Sequence, residues 1–226
     1  MLAALAAAFS TSAGAAERRY TVTDYDRIQV DGPFRVTVAT GRAGAAVASG
    51  SSQAIEQVSI DVQGRVLRVR PNRNAWGGYP GEGAGALSIA LSTHDLRGAS
   101  VTGSGGIIID KARSMRFDIA VSGSGNVALG RLEADSLNVG LLGSGKIVVG
   151  GKAKSLRATI QGNGDFDARG LAVEDAEINA DTAGTIGVAV RRAAKITATG
   201  SGDTEIIGSP ACTTRALGSG RILCGM

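Results

Sequence analysis

A three-residue turn recurs down the second half of this chain at a nearly constant interval. Gly103-Ser104-Gly105 returns as Gly123-Ser124-Gly125, Gly143-Ser144-Gly145, Gly162-Asn163-Gly164, Gly200-Ser201-Gly202 and Gly218-Ser219-Gly220, with a degraded copy at Thr182-Ala183-Gly184. In chain order the first positions are 20, 20, 19, 20, 18 and 18 residues apart. Short runs of alternating apolar and polar residues flank each copy, and a period near 20 of that kind is the signature of stacked coils. The expected fold is all-β: a parallel β-helix, or β-solenoid, with coils of 18–20 residues, Gly-Ser-Gly turns and a less regular N-terminal third.

The repeats can be tested column by column, counting from the first residue of each turn. Six before it stand Arg97, Phe117, Leu137, Leu156, Ala176, Ala194 and Cys212; two before it stand Val101, Val121, Leu141, Ile160, Ala180, Ala198 and Ala216. The columns four before, four after and six after the turn are similarly apolar, for example Ile119, Val127 and Leu129 in one coil. Strand side chains alternate between faces, so these five columns are expected to point inward and to stack into a core that no single repeat could bury alone. The columns between them read as outward. Five before the turn run Gly98, Asp118, Asn138, Arg157, Glu177, Lys195 and Thr213; three after it run Gly106, Asn126, Lys146, Asp165, Thr185, Asp203 and Arg221. Opposite charges thus become neighbours on adjacent coils, roughly 4.8 Å apart, in exposed pairs worth about 0 to 1 kcal/mol each. They serve register and solubility and are too mixed for a charged binding stripe.

Reversing direction in three residues requires positive φ at some position, which glycine adopts without a Cβ penalty. The intervening Ser or Asn is expected to bond backbone groups as a stacked hydroxyl ladder. A phosphate-binding reading of these turns fails, because a phosphate loop opens a helix and usually carries a Lys, whereas Ile147-Val148-Val149 continues as strand.

Glycine numbers 34 of 226 residues, yet a hydrophobic fraction of 43% exceeds that of a disordered glycine-rich polymer. The glycines therefore belong to defined turns within one domain. Formal net charge is +4 with no block of like charge, so nucleic acid is not an expected partner. Residues 1–16 are uncharged, rich in Ala and Leu, and end in the small-residue sequences Ala13-Gly14-Ala15 and Gly14-Ala15-Ala16. They read as a signal peptide ahead of a single solenoid domain at 17–226, exported to the periplasm or cell surface and without a transmembrane segment. Cys212 and Cys224 occupy the first and last inward columns of the final coil and, in an oxidising compartment, are candidates for a disulfide that closes it; the alternative is two buried thiols.

The irregular third shows the same period. Ile28 and Val30 precede Gly32, and Val36 and Val38 follow it, as Val139, Leu141, Ile147 and Val149 flank Gly143. A first coil is thus expected here. Val58-Ile60-Val62 and Val66-Val69 around Gln63-Gly64 read as a hairpin or shortened coil. Residues 71–86 carry Pro71, Pro80, five glycines and the only Trp, and form a loop insertion. Its Trp76 and Tyr79 are candidate ligand-contact residues; the alternative is an aromatic plug over the solenoid. His94 beside Asp95 has no neighbouring nucleophile or metal partner in sequence, and reads as a solvated turn. No catalytic, cofactor-binding or metal-binding residue is expected.

The opening Tyr25-Asp26-Arg27-Ile28-Gln29-Val30-Asp31-Gly32-Pro33-Phe34-Arg35-Val36-Thr37-Val38, with turns such as Ala198-Thr199-Gly200-Ser201-Gly202-Asp203, resembles the bacterial family described as putative auto-transporter adhesin head GIN domain. The resemblance spans about residues 22–224. It implies an adhesin-like function and defines no catalytic residue; the two residues after Cys224 are too few for a membrane-spanning β-barrel. The expected function is a non-catalytic binding or scaffold module for a protein or polysaccharide of the cell envelope, with no cofactor. The alternatives are a carbohydrate-active enzyme, for which Asp165, Asp167 and Asp203 are the nearest carboxylates, and an interaction domain in envelope signalling.

Overall fold

The computed structural model describes residues 16–72, 74 and 87–225. The chain runs β1 (Ala16–Tyr20), β2 (Arg27–Asp31), β3 (Arg35–Thr40), β4 (Ala45–Gly50), α1 (Ser52–Glu56), β5 (Val58–Gln63), β6 (Val66–Pro71), β7 (Ser88–Thr93), β8 (Gly98–Gly103) and β9 (Gly106–Gly123). It continues as β10 (Asn126–Gly143), β11 (Lys146–Gly162), β12 (Asp165–Thr182), β13 (Ile186–Ala198), β14 (Thr204–Ile207), β15 (Ala211–Ala216) and β16 (Ile222–Cys224). Strands β9 to β13 each run through a coil and pair in parallel with the next, turn on turn: Gly123 faces Gly143, and Gly143 faces Gly162. This is the expected β-solenoid. Within a coil a first face precedes the turn, a second follows it, and a third leads to the next coil.

The inward columns form one continuous core, from Ile28 and Val30 through Phe117, Leu137 and Phe166 to Ile196 and Ile206. The turn glycines are required for two distinct reasons. Gly103, Gly123, Gly143 and Gly162 hold φ between +101° and +118°. The third position instead faces the coil beneath: a Cβ on Gly125 would stand 2.7 Å from the Gly105 carbonyl oxygen, closer than real Cβ contacts. The expected hydroxyl ladder is replaced by a backbone one. The Ser124, Ser144 and Asn163 amides donate to the carbonyls of Gly103, Gly123 and Gly143 at 3.0, 3.0 and 2.8 Å, and the Ser104, Ser124 and Ser144 side chains are exposed. The degraded turn substitutes a side chain for the first glycine: the buried Thr182 hydroxyl donates to the Gly164 carbonyl at 3.2 Å and accepts from the Gly184 amide at 2.9 Å.

The first coil in sequence is not the first in space. Strand β2 lies between β6 and β8, and β3 between β7 and β9, all in parallel. The chain therefore lays down β2–β3, leaves through β4, α1 and β5, builds β6–β7 on the N-terminal side, and steps over its own first coil into β8. Antiparallel β5, β4 and β1 finish that end. The β5–β6 hairpin closes through Gly64 and Arg65, both at positive φ (+56° and +68°), the type I′ geometry of a two-residue loop.

Stepping over a coil shifts the register at the entry to β8. Leu96, not Arg97, fills the core there, and Arg97 points outward against its expected inward column. The final coil also departs from expectation: Cys212, Thr214 and Ala216 are exposed, because among the described residues no further strand stacks on β15 or β16. The sulfurs of Cys212 and Cys224 stand at disulfide distance with Cα atoms 6.7 Å apart, within the roughly 4.4–6.8 Å that a bridge spans. Residues 1–15, Trp76 and Tyr79 lie outside the described residues, and Ala16 already pairs with Gly50.

Candidate functional site

At the corner between the third and first faces, outward charges alternate in sign from coil to coil. Arg113 and Arg116 stand on one rung, Glu133 and Asp135 on the next, then Lys152 and Lys154, Glu174 and Asp175, and Arg191 and Arg192. Parallel register aligns Glu133 with Arg113 on one side and Lys152 on the other, and its carboxylate lies 3.9 and 3.5 Å from their nitrogens. Asp135 accepts from Lys154 at 2.8 Å, holding that ammonium above its usual range by hydrogen bond and charge. Asp175 pairs with Arg192, whose side-chain hydrogen bond lowers the Asp175 pKa. Each carboxylate rung thus sits between two cationic ones.

The alternation stops where the regular coils begin. Below Arg113 and Arg116 come Arg97 and Asp95, then Arg27 and Asp26. Arg27, Arg97, Arg113 and Arg116, with Asp95, Asp118, Ser114 and Met115, line a hollow of about 390 Å³. Four guanidinium groups face two carboxylates there. Asp118 is already engaged, by Arg27 at 3.4 Å and by the Asn138 amide at 2.9 Å. Arg97 reaches only the Asp26 oxygen that Arg65 also holds, at 3.9 against 3.1 Å. Among the described residues Arg116 has no carboxylate within 4.0 Å. Met115, on the rim, is 80% exposed, more than any other large hydrophobic side chain described. The hollow shares Arg113, Ser114 and Met115 with a shallow groove of about 620 Å³ that follows the alternating ladder.

The five inward columns reach only six residues before the turn, so they do not include this corner. The signal lies two residues further out: eight before the seven turns stand Asp95, Met115, Asp135, Lys154, Glu174, Arg192 and Pro210, alternating in sign from Asp135 to Arg192. Arg97 was hidden by its expected inward column.

The carboxylates considered for glycoside chemistry are committed elsewhere. Asp165 accepts from the Thr185 amide and hydroxyl at 2.8 and 2.9 Å, and these bonds, the backbone one first, hold its pKa down. Asp203 is held down by the side chain and then the amide of Arg221, and Asp167 takes the Arg169 amide at 3.2 Å. A general acid for glycosidic cleavage needs a raised pKa, the opposite of what Asp165 and Asp203 show. His94 is exposed on the connection into β8 and its carbonyl accepts from the Gly41 amide. Among the described residues no three His, Cys, Asp or Glu side chains gather as metal ligands, and no helix is long and apolar enough to cross a membrane.

Comparison with known proteins places this geometry. The family described as "putative auto-transporter adhesin, head GIN domain" matches residues 24–210. A "putative adhesin" of Bacteroides fragilis superposes with a TM-score of 0.84 at 19% identity, covering 95% of this chain and 98% of its own. A "putative lipid binding protein" of Parabacteroides distasonis superposes at 0.74 and 22% identity, with coverage of 95% and 97%. A "putative adhesin" of the same species superposes at 0.70 and 24% identity, with coverage of 95% and 98%. Among curated proteins none matches the sequence. At these identities the shared property is the solenoid fold.

Proposed function

This chain belongs to the family described as putative auto-transporter adhesin, head GIN domain, and we propose on that premise that it is an exported, non-catalytic binding module of the cell envelope. The observation that carries the reading is the alignment of outward side chains into straight rows along parallel coils. Rows held at the strand spacing of about 4.8 Å by a continuous core form a rigid surface, which an extended protein or polysaccharide can follow without ordering the module on binding. Residues 1–16 act as its signal peptide and residues 17–226 form one domain. Export to the periplasm or cell surface gives Cys212 and Cys224 an oxidising compartment in which to bridge. The loop at 71–86 is a second contact element, because it joins the ends of β6 and β7 and carries Trp76 and Tyr79, whose ring faces suit a sugar or a partner surface.

The test is retention of the purified domain on envelope fractions and glycan arrays, alongside proximity labelling in the source cell. A retained polysaccharide or envelope protein, bound without new reducing ends appearing, supports the reading. Trp76→Ala and Tyr79→Ala are expected to weaken retention. Unchanged retention in both variants removes the loop from the surface, and turnover of a bound polysaccharide refutes the non-catalytic reading.

A further inference from the structure

Along the corner that runs from Arg113 and Arg116 to Arg191 and Arg192, each charged rung meets the opposite sign on the next, although Lys111 and Arg131 beside it pair like with like. That alternation breaks below Arg113 and Arg116, where the next rungs are mixed, Arg97 with Asp95 and Arg27 with Asp26, and four guanidinium groups line the hollow against the carboxylates of Asp95 and Asp118. Adjacent like charges raise the free energy of the empty surface and lower it again when an anion enters between them. The break is also where the surface is concave, at about 390 Å³, toward the lower end of the range for small-ligand sites. Met115 adds a second property. It stands 80% exposed between guanidinium groups, so the hollow offers an apolar contact beside several planar donors.

We infer that this hollow binds an anionic sugar unit of an acidic polysaccharide, a carboxylate- or sulfate-bearing ring, in deepening of the binding-module reading on which it rests. Arg97 and Arg116 supply the principal donors, since they are the least neutralised of the four. Arg27 is tied to Asp118, and Arg113 shares Glu133 with Lys152. A guanidinium fork matches two oxygens of a carboxylate or sulfate in one plane, which an ammonium does not. Met115 packs on the carbon face of the ring, leaving the anionic group toward the arginines. The polymer leaves along the shared groove, where the ladder is internally neutralised. Alternating signs there disfavour a uniformly charged chain, so the hollow selects one anionic unit flanked by neutral ones.

The experiment is titration calorimetry of the disulfide-intact protein with three oligosaccharides of matched length: one with a single uronate flanked by neutral sugars, one with a single sulfated sugar in the same position, and a neutral one. One or both anionic oligosaccharides bind, the neutral one does not, and which binds distinguishes carboxylate from sulfate. Arg97→Gln combined with Arg116→Gln lowers affinity by about tenfold or more, the scale of losing a charge-assisted hydrogen bond, and flattens its salt dependence. Lys195→Gln with Arg215→Gln removes the same charge outside the hollow and stays within about twofold. Met115→Ser weakens binding and leaves the salt dependence in place. Equal losses from both double variants, equal binding of the neutral oligosaccharide, or binding to phosphatidylglycerol vesicles in place of the oligosaccharides would overturn the assignment. Retention of an envelope partner without any anionic oligosaccharide binding overturns this site and leaves the module reading intact. Cleavage of the oligosaccharide does the reverse.

Discussion

Arg169 reaches Glu205 two coils away, at 2.7 and 3.1 Å, by lying across a rung that carries no side chain. The rung is Gly187, whose Cβ, if it had one, would overlap the Arg169 guanidinium. The same device recurs near the other end, where Arg27 passes Gly98 to reach Asp118 at 3.4 Å. Parallel stacking alone pairs only adjacent rungs, so an outward glycine extends the reach of an arginine by one coil.

Gly187→Ala and Glu205→Gln should therefore be coupled. Each is expected to cost up to about 1 kcal/mol, the range for exposed ion pairs, and the double variant should be no less stable than the worse single one. Denaturant titration of the three variants measures the coupling. Simple additivity of the two losses would mean that the glycine trough does not hold the pair.

The glycine turn makes a second prediction, because its two residue types do different work. A methyl on Gly125 meets the Gly105 carbonyl oxygen at 2.7 Å, and a backbone oxygen within a coil cannot move aside as a side-chain tip can. Gly125→Ala is expected to destabilise by about 1–3 kcal/mol, the usual cost of overpacking. Ser124→Ala removes an exposed hydroxyl while keeping the backbone ladder, and should stay within about 0.5 kcal/mol. Equal losses in thermal or denaturant unfolding would put the corner's stability back in the hydroxyls.

The same division explains what could be read from the chain. Phe117, Leu137 and Ile147 were legible as core because alternation on a fixed period needs only local sterics and burial. The coil of Ile28, Val30, Val36 and Val38 was legible for the same reason. Its place between β6–β7 and β8–β9 was not, since coils of equal width stack equally well in several orders. Arg97 followed that error: its column is inward only if the preceding segment enters as it does elsewhere, and Leu96 takes the core position instead. The exposed state of Cys212 and Thr214 reflects the end of stacking, a global fact that no column reports. The alternating corner charges were readable and lay outside the counted window.

Cys212 and Cys224 stand at disulfide distance in the last coil, where among the described residues β15 pairs with β13 alone and β16 with β14 alone. We expect a disulfide, detected as the absence of alkylatable thiols by mass spectrometry before reduction. Bridging two residues 12 apart constrains the unfolded chain by about 3 kcal/mol in the chain-entropy account. Coils contact only their neighbours, so replacing both cysteines by Ala should raise hydrogen exchange across 211–224 and leave the central coils protected. Uniform loss of protection through β9 to β12 would show instead that the last coil controls the whole stack, and free thiols in protein purified without reductant would remove the bridge.

Acid sensitivity should trace to the outward carboxylates. Glu177 is held below its ordinary range by the side-chain hydrogen bond from Arg157, and Asp203 and Asp165 by Arg221 and Thr185. A folded-state pKa below the unfolded one stabilises the fold above the unfolded value, and that contribution is lost as pH falls through the folded one. The loss therefore begins near about pH 4, the ordinary carboxylate range, and proceeds downward, leaving stability flat above it. The two aspartates should separate under substitution. For Asp203 the Arg221 side chain is the larger cause, whereas for Asp165 the Thr185 amide is. Arg221→Gln should raise the Asp203 pKa clearly, while Thr185→Val, which keeps the amide, should leave Asp165 mostly depressed. Carboxyl carbon shifts followed by NMR titration read both sites at once. A larger rise at Asp165 than at Asp203 would mean that side-chain donors, not the stacked backbone, fix the charge state along these rows.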